Sequence, residues 1–411
     1  MTQELAPWAS PVARARIAEV AAELTDLSPE GVSETVRRAL DDHARSFDRE
    51  GIVLYAGTNV MSPAAQAVSE ALVSGRPSMG WPGEKYQAGL DHLDTLEVLA
   101  PTIVARLLGA RFAEVRSHSA TMANLAVYTA VTEPGDTIAV LPERAGGHTS
   151  HHAVGAPGVR GLRVVDLPYD SGAYDVDLDA LPGFLDRERP RLVVIGASLL
   201  LFPHRVGAIA EAVAAAGATL LYDASHMAGL VAAGRFQKPL AEGAQILTFS
   251  TYKSFGGPPG GVIATDDEGL AERLSTAVFP GLTANYDAGR LAPLAVTAAE
   301  IMAGGGAYAD TCIANARLLA AALAEEGFTV AGADRGFTDS HHVAVDVGDG
   351  RAAMARLAEA GIYLSAIGLP WQEPGEPDRG LRIGTQEVTR RGYGEDDLRK
   401  TAATMADVLL R

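Results

Sequence analysis

Six short runs rich in apolar and β-branched residues punctuate the middle of this chain: DTIAVL (136–141), LRVVDL (162–167), LVVIGA (192–197), ATLLYD (218–223), QILTFS (245–250) and GGVIAT (260–265). Each is nearly continuous rather than alternating, the mark of a strand buried on both faces. AIAEAVAAAG (208–217) is a helix between two of them, and LDTLEVLAPTIVARLLGA (93–110) is an amphipathic helix ahead of them. Strands alternating with helices predict a mostly parallel sheet covered on both sides, an α/β fold. Residues 11–48 carry helical spacing and read as an N-terminal helical arm. Residues 293–327 form a long helical stretch, which the glycines at 304–306 are expected to interrupt. FTVAG, VAVDV, GIYLS and GLRIG then read as strands of a smaller α/β unit. The expected domains are an arm over 1–58, a large domain over 59–292 and a small C-terminal domain over 293–411.

Composition removes several classes of function. The 411 residues carry a net charge of −17. An acidic chain repels phosphate backbones and anionic lipid, so neither nucleic acid nor membrane is an expected partner. The most apolar stretch, residues 192–202, is too short to cross a bilayer, and the N-terminus has no apolar signal core. Cys312 is the one cysteine, which rules out a disulfide within the chain and suits a reducing, cytoplasmic setting. Cys312 reads as a small core residue.

Four features fall at strand ends or loops of the large sheet, where open α/β sheets bind ligands. Lys253 lies between a strand and a glycine-rich turn, a setting suited to a lysine that must be held and kept partly neutral to form an imine. Asp223 ends ATLLYD, where a carboxylate can pair with a protonated ring nitrogen. HSATMAN (118–124) opens an apolar helix, and backbone N–H groups with the Ser119 and Thr121 hydroxyls make a phosphate cradle there. Gly146-Gly147-His148 offers an imidazole to lie flat on an aromatic ring. Each feature has a plain structural reading alone. The cluster His148, His151 and His152 also suggests a metal site, but no cysteine is near and acidic ligands would have to come from elsewhere. Together the four describe a pyridoxal 5′-phosphate site with no metal.

From about Gly51 onward the sequence resembles the serine hydroxymethyltransferases. The likeness rests on GWPGEKYQAG (80–89), HSATMAN, GGHTSHH (146–152), DASHMAGLVAAG (223–234), STYKSFGGPPGG (250–261), FPGL (279–282), TDSHHVAVDV (338–347) and GLRIGTQEVTRRG (380–392). The resemblance implies the fold-type I, aspartate aminotransferase-like architecture, with a seven-stranded large sheet, and a homodimer with shared active sites. It implies that Lys253 holds the cofactor, Asp223 pairs with its ring nitrogen and His148 stacks on the ring. Ser198 and His226 would bind the ring's oxygen side and the substrate end. Ser119, Ala120, Thr121 and Tyr252 would hold phosphate, and Ser250 would orient proton transfer. Arg382 would clamp the substrate α-carboxylate, a task suited to its fork of donors. Thr283 and Ala284 would face the neighbouring chain's phosphate, although Thr283-Ala284-Asn285 stands where the family has the Gln-Gly-Gly that sends backbone N–H groups to it.

Departures from the family pattern concentrate on the folate side. Where the family has Tyr-Ala-Glu-Gly-Tyr-Pro-Gly, this chain has Pro77 to Gly83. The glutamate that handles protons for folate is Met79, which neither donates nor accepts one. The family's partner-subunit tyrosine is Pro77, its later tyrosine is Gln87, its serine in the early substrate loop is Gly57, and its Gly-Pro-Arg-Gly-Gly arginine is Pro259. The loop over 366–379 is rewritten. The expectation is an aldolase or transaldolase that makes or breaks the Cα–Cβ bond of a β-hydroxy-α-amino acid through a lysine-held imine and a glycyl carbanion, acting on an amino acid and an aldehyde without tetrahydrofolate. The alternatives are a folate-dependent serine or α-methylserine hydroxymethyltransferase, another pyridoxal-phosphate reaction such as transamination, and a silent cofactor-binding protein. Retention of Lys253 and Arg382 argues against the last.

Overall fold

The sequence puts a proline directly after a serine at two places in the arm, and each pair starts a helix. In a computed structural model describing residues 6–69, 71–373 and 375–411, Ser10 caps helix α1 (Pro11–Glu23) and Ser28 caps α2 (Pro29–His43). Each serine oxygen accepts an N–H of the first turn, and the proline fills the first helical position. Neither helix buries a residue, and Val32, Val36 and Leu40 of α2 stay exposed. The chain divides into two compact units, residues 1–52 and 53–411.

The second unit contains the large sheet. Its strands are β1 (Phe112–Ser117), β2 (Thr137–Val140), β3 (Arg163–Asp166), β4 (Leu192–Ile195), β5 (Thr219–Asp223), β6 (Ile246–Ser250) and β7 (Gly261–Thr265). Their spatial order is β1-β7-β6-β5-β4-β2-β3. All neighbouring pairs are parallel except those made by β7, which runs against both β6 and β1. The six apolar runs of the sequence are β2 to β7. Alternate residues serve opposite faces: Leu220 and Tyr222 pack into one core layer, and Leu221 into the other. The first layer is closed by α3 (Asp91–Leu108) and α5 (Val206–Ala215), the second by α4 (Ala120–Val131).

β1 was not among the runs read from sequence. Its FAEVRS carries two charges, and the reason they are tolerated is visible. β1 is an edge strand, and Glu114 and Arg116 neutralise each other on it at 2.5 Å.

The expected break at Gly304–Gly306 is corrected by the structure. Helix α6 (Leu291–Glu325) runs through it without interruption. Gly305 is buried where a side chain would press on Ile301 at 2.7 Å and reach Ala233 at 3.6 Å, so the glycine permits close packing rather than ending the helix. The expected boundary at 292/293 therefore falls inside the first turn of α6. The front of α6, through Leu291, Leu294 and Ala298, belongs to the large core.

The small sheet has order β8-β9-β11-β10, from Thr329–Val330, His342–Asp346, Gly380–Gly384 and Ser365–Ile367. All its pairs are antiparallel, and Arg382 sits opposite Ala344 and Ser365. The Thr338 and Ser340 hydroxyls, just before β9, donate to the Leu201 and Leu200 carbonyls of the loop after β4, which ties the two sheets together beside Ser198.

Candidate active site

Strands β4, β5 and β6 end side by side, and the groups singled out in sequence gather at those ends. One open-sided pocket is lined by Ser119, Ala120, Thr121, His148, Ser198, Asp223, His226, Ser250, Tyr252 and Lys253. Tight backbone approaches make the convergence possible. Gly196 holds φ +98°, and a Cβ there would meet the Asp223 carbonyl oxygen at 2.1 Å. A Cβ on Gly261 would meet the Ser119 carbonyl oxygen at 2.3 Å, so this glycine lets the start of β7 press against the start of α4.

At that helix start Ser119 is the cap, and its oxygen accepts the Met122 N–H at 3.2 Å. The N–H groups of Ala120 and Thr121 begin the helix and have no intrahelical acceptor, so they face the pocket as anion donors. Ala120, Asn124 and Tyr128 lie four residues apart on one face. Asn124 donates to Asp223 Oδ2 at 2.8 Å and accepts from Thr248 at 2.7 Å. His151 Nε2 lies 2.8 Å from the same Asp223 oxygen, and Tyr128 Oη is 2.5 Å from His151 Nδ1. The Tyr128 hydroxyl donates to Nδ1, leaving the Nε2 proton for Asp223. Burial alone raises a carboxyl. Here His151, with Ser225 and Asn124, outweighs it and holds Asp223 well below the ordinary carboxylate range.

His151 and Asn124 were not assigned these roles in sequence. The signal available for Asn124 is its place four residues after Ala120 on an apolar helix, and His151 entered the sequence reading only as a member of the His148, His151 and His152 cluster. The three histidines do not converge. His148 Nδ1 is bonded to Ser150, and His152 faces Asp166 at 3.9 Å. Among the described residues no group of three or more His, Cys, Asp or Glu is arranged to hold a metal.

Lys253 Nζ lies 3.1 Å from His226 Nε2, while His226 Nδ1 lies 3.2 Å from the Ala56 carbonyl. Since the carbonyl only accepts, the Nδ1 carries the proton and Nε2 accepts from the lysine. Burial, then Lys253 and Arg382, holds His226 well below its ordinary pKa and keeps it neutral. Burial pushes Lys253 down to about 8; Asp223 opposes the shift and Arg382 adds to it. Desolvation by the pocket walls, then Lys253 and His151, pushes His148 down to about 4, which leaves a neutral ring at the pocket edge. Ser198 Oγ and Ser225 Oγ are buried without a hydrogen-bond partner among the described residues.

Arg382 adjoins this pocket. Its guanidinium donates to the Ser198 carbonyl at 2.7 Å and to Ser365 Oγ at 3.2 Å. The residue is only 8% exposed, and both acceptors are neutral. A buried cation without a counter-charge calls for an anion from outside.

Pyridoxal 5′-phosphate fits this donor set. The free N–H groups of Ala120 and Thr121 suit a phosphate, the ionised Asp223 suits a protonated ring nitrogen, and Lys253 is partly neutral. The orphaned Ser198 hydroxyl supplies a polar contact that the protein alone leaves unmade. Thr283 and Ala284 do not join this pocket in their own chain, nor does any of residues 77–87. Gly80, Trp81 and Pro82 instead line a separate cavity of about 1130 Å³ with Phe279, Pro280 and Tyr286.

Comparison with known proteins follows the same lines. The profile of the family described as serine hydroxymethyltransferase matches residues 32–405. An alpha-methylserine aldolase from Variovorax paradoxus is 43% identical over 406 residues, covering 98% of this chain and 92% of the relative. A serine hydroxymethyltransferase from Pyrobaculum islandicum is 44% identical over 365 residues, covering 88% and 85%. Among solved structures, L-threonine transaldolase from Pseudomonas fluorescens superposes with a TM-score of 0.82 at 27% identity, covering 96% of this chain and 89% of that one.

Proposed function

The chain belongs to the serine hydroxymethyltransferase family, whose members are pyridoxal-phosphate enzymes, and we propose that it makes or breaks the Cα–Cβ bond of a β-hydroxy-α-amino acid without folate, α-methylserine among its substrates. One observation carries this reading. The groups read as cofactor holders gather around Lys253, with Arg382 beside them at the Ser198 carbonyl, while the folate-side acid of the family is Met79 in this chain. The names of similar proteins, alpha-methylserine aldolase and L-threonine transaldolase, support the same bond as the point of attack.

When bound, the cofactor withdraws electrons from Cα. The chain's own residues do the rest. Arg382 holds the α-carboxylate and so fixes which bond at Cα faces the ring. Asp223 keeps a proton on the ring nitrogen. His226 Nε2, which accepts from Lys253 in the free chain, would take the β-hydroxyl proton once the lysine is turned to the cofactor, as the Cα–Cβ bond breaks and the aldehyde leaves, and a proton is then returned to Cα. From α-methylserine the products are formaldehyde and alanine. Burial keeps His226 neutral, so Nε2 presents a lone pair rather than a proton.

The working unit in this reading is a homodimer with shared sites, in the cytoplasm. The position of Thr283, Ala284 and the 77–87 loop outside their own chain's pocket supports the first point, as does the exposed apolar stripe of α2. A single, buried cysteine supports the second. No helix among the described residues is long and apolar enough to cross a membrane. Folate-dependent transfer is favoured only by the likeness to serine hydroxymethyltransferases, and Met79 counts against it.

Product analysis tests the proposal. Purified protein given α-methylserine in folate-free buffer is expected to yield formaldehyde and alanine in equal amounts. Failure to release aldehyde from any β-hydroxy-α-amino acid contradicts it.

A further inference from the structure

The segment Leu54-Tyr55-Ala56-Gly57-Thr58 is pinned from three sides. Leu54 pairs with Tyr363 and Gly384 at 2.8 Å each. The Gln386 amide donates to the carbonyls of Tyr55 at 3.0 Å and Thr58 at 2.7 Å. Ala56 offers its carbonyl to His226, the partner of Lys253. Its backbone is therefore fixed relative to both the lysine and the strand that carries Arg382.

Within this segment the Tyr55 side chain folds back over residue 57. A Cβ on Gly57 would meet Tyr55 Cε1 at 2.9 Å, Cζ at 3.1 Å and the phenol oxygen at 3.3 Å. Gly57 is thus a packing requirement of this tyrosine, and the position that holds a serine in the family has no hydroxyl here. The Tyr55 ring centre lies 6.0 Å from the Arg382 guanidinium carbon. Among the described residues its phenol oxygen makes no hydrogen bond, and Arg382 has only neutral acceptors.

We propose that Tyr55 is a substrate-binding residue, its phenol O–H donating to the α-carboxylate held by Arg382 and replacing the hydroxyl that Gly57 lacks. This rests on the reading of Arg382 as the carboxylate clamp. Tyr55 and Gly57 then act as a pair: the ring needs the glycine, and the missing serine needs the phenol. A phenol delivered from the side of residue 55 also walls one edge of the clamp, which makes the pair a determinant of what can sit on Cα.

The test measures binding of glycine and of methylamine, which lacks the carboxylate, by spectral titration of the cofactor-loaded protein. A hydrogen bond to a charged group predicts that Tyr55→Phe weakens glycine binding by about tenfold or more and leaves methylamine within about twofold. Tyr55→Ala is expected to do the same, and Tyr55→Ala/Gly57→Ser, which frees the space and adds a hydroxyl, to regain most of the glycine affinity. Unchanged glycine binding in Tyr55→Phe, or equal weakening of both ligands, overturns the proposal. Absence of rescue in the double variant overturns the pairing with Gly57. Glycine and methylamine titrations read the clamp even in a protein that cleaves no β-hydroxy amino acid, so failure here is distinct from failure of the proposed reaction.

Discussion

Lys253 illustrates how a residue's setting becomes chemistry. With a pKa of about 8, roughly a tenth of its amine is neutral at pH 7, against well under a thousandth for an ordinary lysine. The rate at which cofactor-free protein captures pyridoxal should therefore rise with pH around a midpoint near 8; a midpoint above 10 contradicts the burial argument. Lys253→Ala is expected to lose both the visible band of the lysine-bound cofactor and turnover, which absorbance and product assays read directly. Asp223 makes the complementary case. Its depressed carboxyl contributes stability that is present above the unfolded value near 4 and lost as pH falls through the folded one. His151→Leu leaves the carboxylate short of its main partner, so denaturant unfolding at pH 7 should show a loss of about 3 kcal/mol. That loss should shrink as pH falls and the variant's folded carboxyl, no longer held down by His151, takes up a proton that the wild-type carboxyl still refuses. That Lys253, Asp223 and His148 gather in one pocket was legible in the sequence because each sits at a strand end or glycine turn. The His151–Asp223 bond was not, since a separation of 72 positions carries no local signal of contact.

At the scale of elements, the site depends on strand ends meeting without side chains in the way. Gly196→Ala places a methyl against the Asp223 carbonyl and forces a left-handed φ on alanine, so the end of β4 or β5 must shift. Loss of cofactor retention together with a fall in thermal midpoint is expected; an unperturbed variant contradicts the close approach. Near-continuous apolar runs made β2 to β7 readable, since burial on both faces leaves no polar alternation. β1 escaped because an edge strand keeps charges, and α6 was expected to break because three glycines carry a propensity cost that buried packing along 35 residues offsets.

At the scale of the molecule, the groups around Lys253 and those of the 77–87 loop occupy different places on one chain. If two copies share sites, sedimentation should give about twice 42.8 kDa. A mass of one chain at micromolar concentration contradicts the shared site. Sequence gave no direct view of this arrangement; the departures at Pro77, Met79 and Gln87 could be noticed only against the family pattern, and their placement needed the fold. The most direct measurement compares aldehyde release from α-methylserine, L-threonine and L-serine with and without tetrahydrofolate. Release from at least one substrate at a rate unchanged by folate is the predicted result. Serine turnover that appears only when tetrahydrofolate is added contradicts it, and assigns the protein the transfer reaction that Met79 argues against.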